Sequence, residues 1–147
     1  MKKRQYVVSI TAPVEKVWKV MLEHETYKVW TDEFAPGLNS DYEGSWDKGS
    51  EIRFISSSGD GMLSEIVENN RYEFISIRHL GMIKNGIADT ESPEVKKWTP
   101  AYENYSFSRI DEGTEIIVDI DLPEEYVNFF DEAWPRALAK LKQICEE

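Results

Sequence analysis

The sequence predicts a single α+β domain over residues 1–147, ordered as strand, two helices, six strands and long helix. Three observations carry this. Apolar residues recur at three- and four-residue steps near both ends of the chain. Over residues 38–121 the period changes to two. The links inside that stretch are short and rich in Gly, Asn and Asp, which suits antiparallel hairpins and is too brief for βαβ crossovers.

Residues 4–11 alternate and are rich in Val, Ile and Tyr, as a strand requires. Pro13 opens a helix, because its missing N–H and fixed φ suit a first turn. Val14, Val17, Trp18, Met21 and Leu22 then form one apolar stripe, which makes Trp18 a core residue. A second short helix starts at Thr26, with Tyr27, Trp30 and Phe34 on one face, and Pro36-Gly37 ends it. Strand-like alternation follows around Ile52 and Phe54, along Met62, Ser64 and Ile66, and over residues 72–80, 102–110 and 115–121. Asp47-Lys48-Gly49, Ser58-Gly59-Asp60-Gly61, Asn69-Asn70 and Asp111-Glu112-Gly113 are the turn signals.

The link over residues 81–100 is the exception, since loops of that length are uncommon unless functional or partly structured. Ser92-Pro93-Glu94 predicts a short helix, Ser92 as cap, reaching Trp98 and stopped by Pro100; it is expected to act as a mobile lid. Pro123 begins the last helix, whose stripe is Tyr126, Phe130, Ala133, Ala137, Leu141 and Ile144. Pro135 falls inside it and predicts a kink or break near Trp134.

Composition excludes several classes of function. Twenty-eight acidic residues against 17 basic ones give a formal charge of −11, a field that repels phosphates. Nucleic acid and anionic membranes are therefore poor partners. No apolar run is long enough for membrane insertion, and the start of the chain lacks a signal-peptide pattern. Cys145 is the only cysteine, so no internal disulfide forms, and the expected location is cytoplasmic. His24, His79 and Cys145 have no ligand spacing, so no metal or other cofactor is expected. There is no glycine-rich phosphate loop and no Gly-x-Ser-x-Gly elbow.

A curved antiparallel sheet of about seven strands wrapped around the C-terminal helix satisfies this element order. Particular stretches also point there. Residues 12–18 (Ala-Pro-Val-Glu-Lys-Val-Trp) follow a first strand, Trp30 sits in the second helix, and Gly44 and Gly49 precede Ile52-Arg53-Phe54. Gly113-Thr114-Glu115 enters the last strand, and Trp134 is followed by Leu138 and Leu141. In these stretches the chain resembles the START-like (SRPBCC) superfamily, whose fold is the helix grip. It resembles in particular the branch named after the activator of the ninety-kilodalton heat-shock chaperone's ATPase. The superfamily implied includes lipid carriers, hormone receptors and polyketide cyclases, so fold alone names no function. The branch name implies a chaperone partner, to which an acidic single domain adds no support.

The aromatic load of five Trp, seven Tyr and six Phe raises the question of an internal pocket. The ligand-binding candidates are Trp30, Phe34, Arg78, His79, Trp98, Tyr105, Phe130 and Trp134. Trp30 and Trp134 are expected to line the sheet-facing interior, and Trp98 the rim. Of the neighbours Arg78 and His79, one faces the concave side, and the pattern leaves open which. Two readings of the aromatic residues stand: they line a cavity, or Tyr105, Phe107, Phe129 and Phe130 fill it. The leading functional reading is a carrier or sensor of a small hydrophobic molecule, with no catalytic residue. An enzyme using cavity polar groups and an interaction module are the rivals.

Overall fold

The computed structural model describes residues 1–147. Its elements are β1 (Lys2–Ile10), α1 (Val14–Leu22), α2 (His24–Trp30), a 3-10 turn (Thr31–Phe34), β2 (Asp41–Gly44), β3 (Glu51–Ile55), β4 (Gly61–Asn70) and β5 (Phe74–Lys84). There follow β6 (Ile87–Asp89), α3 (Pro93–Lys96), β7 (Ala101–Ile110), β8 (Gly113–Leu122), a second 3-10 turn (Glu124–Tyr126) and α4 (Val127–Cys145). The strands form one eight-stranded sheet in the order β1-β8-β7-β5-β4-β3-β2, with β6 paired to β5. Every pairing is antiparallel. The chain is therefore α+β, with the helix-grip architecture: a long helix laid on the concave face of an open sheet.

Alternation along the strands decides what lies beneath that helix. Ile75, Ile77 and His79 on β5, Tyr105 and Phe107 on β7, and Ile116, Val118 and Ile120 on β8 are buried and share one face. Trp134, Ala137, Leu138 and Leu141 of α4 and Val17 and Met21 of α1 meet the apolar ones in one cluster. Alanines on the buried side of α4 let the helix approach closely. Trp18 is half-buried and packs its ring on Phe107 and Tyr72, at 5.0 and 5.8 Å. Two register shifts between β4 and β5, at Leu63/Ser64 and at Ile66/Glu68, insert an extra residue each. Such bulges bend a sheet and raise its twist.

Gly113 shows why the last hairpin carries glycine. Its φ is 154°, and a Cβ there would lie 2.2 Å from the Ile10 carbonyl oxygen. The next residue closes the corner, Thr114 Oγ1 donating to the Ala12 carbonyl at 2.8 Å.

Several expectations are corrected. The sheet has eight strands because β5 runs on to Lys84 and turns back as β6. Asn85 and Gly86 both have positive φ, 51° and 79°, which is the geometry of a tight two-residue hairpin. The second helix starts at His24 instead of Thr26, and Thr31–Phe34 is a separate 3-10 turn. The turn expected at Asn69-Asn70 falls at residues 71–73, with Tyr72 at φ 69°. Helix α3 spans only Pro93–Lys96, and Trp98 lies beyond it. It is well tied down: Ser92 Oγ caps Val95 N, Asp89 accepts from the backbone of Glu91 and Ser92, and Val95 is buried. Pro135 does not break α4, which runs continuously to Cys145. Pro135 is exposed, so the Asp131 carbonyl that it leaves without an intrahelical donor lies toward the solvent side.

Candidate functional site

The concave face carries a row of polar side chains under its aromatic cover. Ser64 on β4 pairs across the sheet with His79 on β5, and its Oγ lies 2.6 Å from His79 Nδ1. On the other side of the ring, His79 Nε2 lies 3.0 Å from Glu103 Oε1 on β7. The second Glu103 oxygen accepts from the Tyr105 hydroxyl. A carboxylate only accepts, so Nε2 carries a proton, and Nδ1 of a neutral ring accepts from the Ser64 hydroxyl. One arrangement of protons thus satisfies four residues on three strands. Burial pushes the Tyr105 phenol well up, and the nearby Glu103 adds to it. The Tyr27 phenol is raised in the same way, with Glu103 the leading charge acting on it.

The aromatic cover is centred on Trp134. Its ring lies 4.8 Å from Phe34, 6.0 Å from Trp30, 6.1 Å from Tyr6 and 6.2 Å from Tyr105. Phe130 stands 6.0 Å from Phe34, and both are half-buried, at the edge of the group. Trp30 Nε1 donates to the Met21 carbonyl at 3.1 Å. Trp134 Nε1 is buried and has no hydrogen-bond partner.

Six of the eight candidates are thus brought together: Trp30, Phe34, His79, Tyr105, Phe130 and Trp134. Arg78 is a correction. His79 takes the concave side, so Arg78 points to the other face, where it is ion-paired with Glu65, its cross-strand neighbour. Trp98 is the second correction, since the link carrying it is anchored through Val95 and its ring joins none of these aromatic pairs. Phe129, offered as a filler, is exposed and touches only Phe130 among these rings. The residues that the pattern missed are Ser64, Glu103 and Tyr6. Glu103 was visible as a charge two positions from Tyr105, on the same strand face.

The rings pack together between sheet and helix, with Phe34 and Phe130 against the buried cluster. Two of the surface hollows lie elsewhere. One of about 280 Å³ is lined by Met82, Lys84, Ile87, Asp89, Ser92 and Val95 among others. The other, of about 370 Å³, follows the seam between β1 and α4, beside Val7, Pro135 and Leu138. Neither touches the polar row. No group of three His, Cys, Asp or Glu side chains is placed to hold a metal. No helix is long and apolar enough to cross a membrane.

A second polar cluster fastens β1 to α4. Tyr6 Oη donates to Asp131 Oδ1 at 2.7 Å, and Arg4 Nε reaches the same oxygen at 3.0 Å. Burial first, then the Asp131 bond, pushes Tyr6 up to about 12. Asp131 is held below the usual carboxylate range, by Arg4 first and Tyr6 second. The two act with opposite signs. Tyr6 is raised above its unfolded value of about 10, so its contribution is full below that pH and lost as pH rises toward about 12. Asp131 contributes above an unfolded value of about 4, and that contribution is lost as pH falls through its depressed folded value. Tyr6→Phe is therefore expected to flatten the alkaline limb of stability against pH. Urea midpoints measured between about pH 9 and 12 check this, and parallel limbs for both proteins would refute it.

No family model and no curated protein sequence matches the chain. Solved structures do match it. Protein NE0264 from Nitrosomonas europaea superposes with a TM-score of 0.73 at 15% identity, over 97% of this chain and 92% of that one. The Aha1 dimer from Colwellia psychrerythraea gives 0.71 at 19% identity, over 99% and 97%. DynU16, a protein of the dynemicin biosynthetic locus, gives 0.70 at 15% identity, over 97% of this chain but 46% of that one. At such identities the likeness concerns architecture alone. What the chain has in common with these structures is the helix-grip fold.

Proposed function

We propose that the chain binds a small, mostly apolar molecule between α4, the Thr31–Phe34 turn and the concave face of the sheet, and performs no chemistry on it. The observation that carries this reading is Trp134 Nε1, a buried donor without a partner at the centre of the aromatic cover. Leaving such a group unsatisfied costs about 1–3 kcal/mol. An acceptor on a bound molecule relieves that cost, which rewards occupancy of this place over others. Phe34 and Phe130, half-buried at the edge, are the rings of this group that an entering molecule meets first.

Ser64, His79 and Glu103 are bonded in the sequence nucleophile, base and carboxylate, but Ser64 is 0% exposed. Ser64 is the cross-strand neighbour of His79 and its hydroxyl holds the ring, which favours a supporting role over a hydrolytic one. A chaperone partner has no support beyond the fold likeness to Aha1.

A ligand burying about 300 Å² of apolar surface gains about 7 kcal/mol. Association and ordering costs offset part of it, so apolar compounds are expected to bind at micromolar strength or weaker. Aromatic ketones and acyl compounds should quench tryptophan fluorescence saturably and raise the melting temperature. If a broad panel of such compounds does neither, the interior is simply a core and the proposal fails.

A further inference from the structure

We infer that the molecule held on the concave face is an organic cation, an apolar body carrying a protonated amine that pairs with Glu103. This rests on the proposed binding function and names its ligand class. The Glu103 side chain is 16% exposed, so solvent touches it although its neighbours are buried. His79 Nε2 and the Tyr105 hydroxyl occupy one position on each oxygen. A carboxylate has about four lone-pair sites, which leaves capacity for further donors. Among ion pairs Glu103 meets only His79, and no Lys or Arg reaches it.

The surroundings favour a cation on independent grounds. Tyr27 and Phe54 stack at 6.3 Å, Phe54 stands 6.1 Å from the His79 ring, and Tyr105 leads to Trp134. The π-faces of such rings attract ammonium groups. The net charge of −11 draws cations toward the chain and repels anions. An anionic head would meet Glu103 with like charge, and neither Arg78 nor Arg4 is free to receive it. Arg78 lies on the opposite face with Glu65, and Arg4 is engaged by Asp131. A neutral head would exclude water from the carboxylate while bringing no charge to it. An amine on Glu103 and an acceptor for Trp134 Nε1 are compatible demands on one molecule.

The test uses three probes of one shape: phenylbutylamine, phenylbutanol and phenylbutyrate, titrated by tryptophan fluorescence into the wild type and Glu103→Gln at constant ionic strength. In the wild type the amine is expected to bind about tenfold or more tighter than the alcohol, with the acid weakest. In Glu103→Gln the preference should fall to near unity, while Gln still accepts from Tyr105. Equal binding of amine and alcohol by the wild type, a comparison that needs no variant, would overturn the cation inference and leave apolar binding standing. An amine preference that survives in Glu103→Gln would also overturn it, because the general surface field would then be the cause. If none of the three probes binds and the aromatic ketones fail as well, the binding function itself is wrong, and the inference falls with it.

Discussion

Trp30→Ala is expected to lower the unfolding free energy by about 3–5 kcal/mol, the range found when a large buried aromatic is truncated. Trp30 is 1% exposed, and its ring is flanked by Tyr27 at 5.6 Å, Trp134 at 6.0 Å and Phe34 at 6.3 Å. Flat, bulky neighbours cannot collapse into the space left by an indole, so the cavity term is large. The Met21 carbonyl also loses the indole N–H that it accepts. A domain of this size has about 5–15 kcal/mol in total, which leaves the variant marginal. Trp18→Ala should cost less, because Trp18 is only half-buried. Urea unfolding with an unchanged slope measures both. A Trp30→Ala midpoint matching the wild type would remove Trp30 from the structural core.

The sequence revealed most where one face of an element is apolar and the other is not. The stripes of α1 and α4 were legible because Val17 and Met21, or Ala137 and Leu141, repeat against charged neighbours. The Arg78-His79 pair was not, since both residues are polar and alternation says only that they oppose one another. The choice depends on which strands lie beside them: Ser64 and Ala101 set His79 inward. A bulge at the same place, where Leu63 and Ser64 face Gly81 and His79, makes counting along β5 unreliable. The β5–β6 hairpin was missed for a different reason. Asn85-Gly86 is a strong turn signal, but β6 is three residues long and carries only Ile87 as a strand former. Trp98 followed from extending α3 to the next proline, whereas the helix ends at Lys96 after a single turn. The polar row is harder still to read. It joins Ser64, His79, Glu103 and Tyr105 across three strands, and its members acquire meaning only through register.

Trp134 separates packing from recognition, because its two parts can be removed in turn. Trp134→Ala deletes a ring that is 2% exposed and touches Tyr6, Trp30, Phe34 and Tyr105, so a loss of about 3–5 kcal/mol is expected. Trp134→Phe deletes part of the ring together with the unpartnered N–H. The lost volume destabilises, but removing an unsatisfied buried donor returns about 1–3 kcal/mol. The two oppose, and the phenylalanine variant should stay within about 1.5 kcal/mol of the wild type. Its binding should change selectively. A probe with a carbonyl, such as an aromatic ketone, loses its hydrogen bond and is expected to bind about three- to tenfold more weakly. The hydrocarbon of the same shape has no bond to lose, so its affinity should hold. Equal weakening of both probes would mean that Trp134 shapes the pocket without donating to its occupant. Unchanged affinity for both would place the ligand away from Trp134, and the reading of its N–H as the anchor would fall.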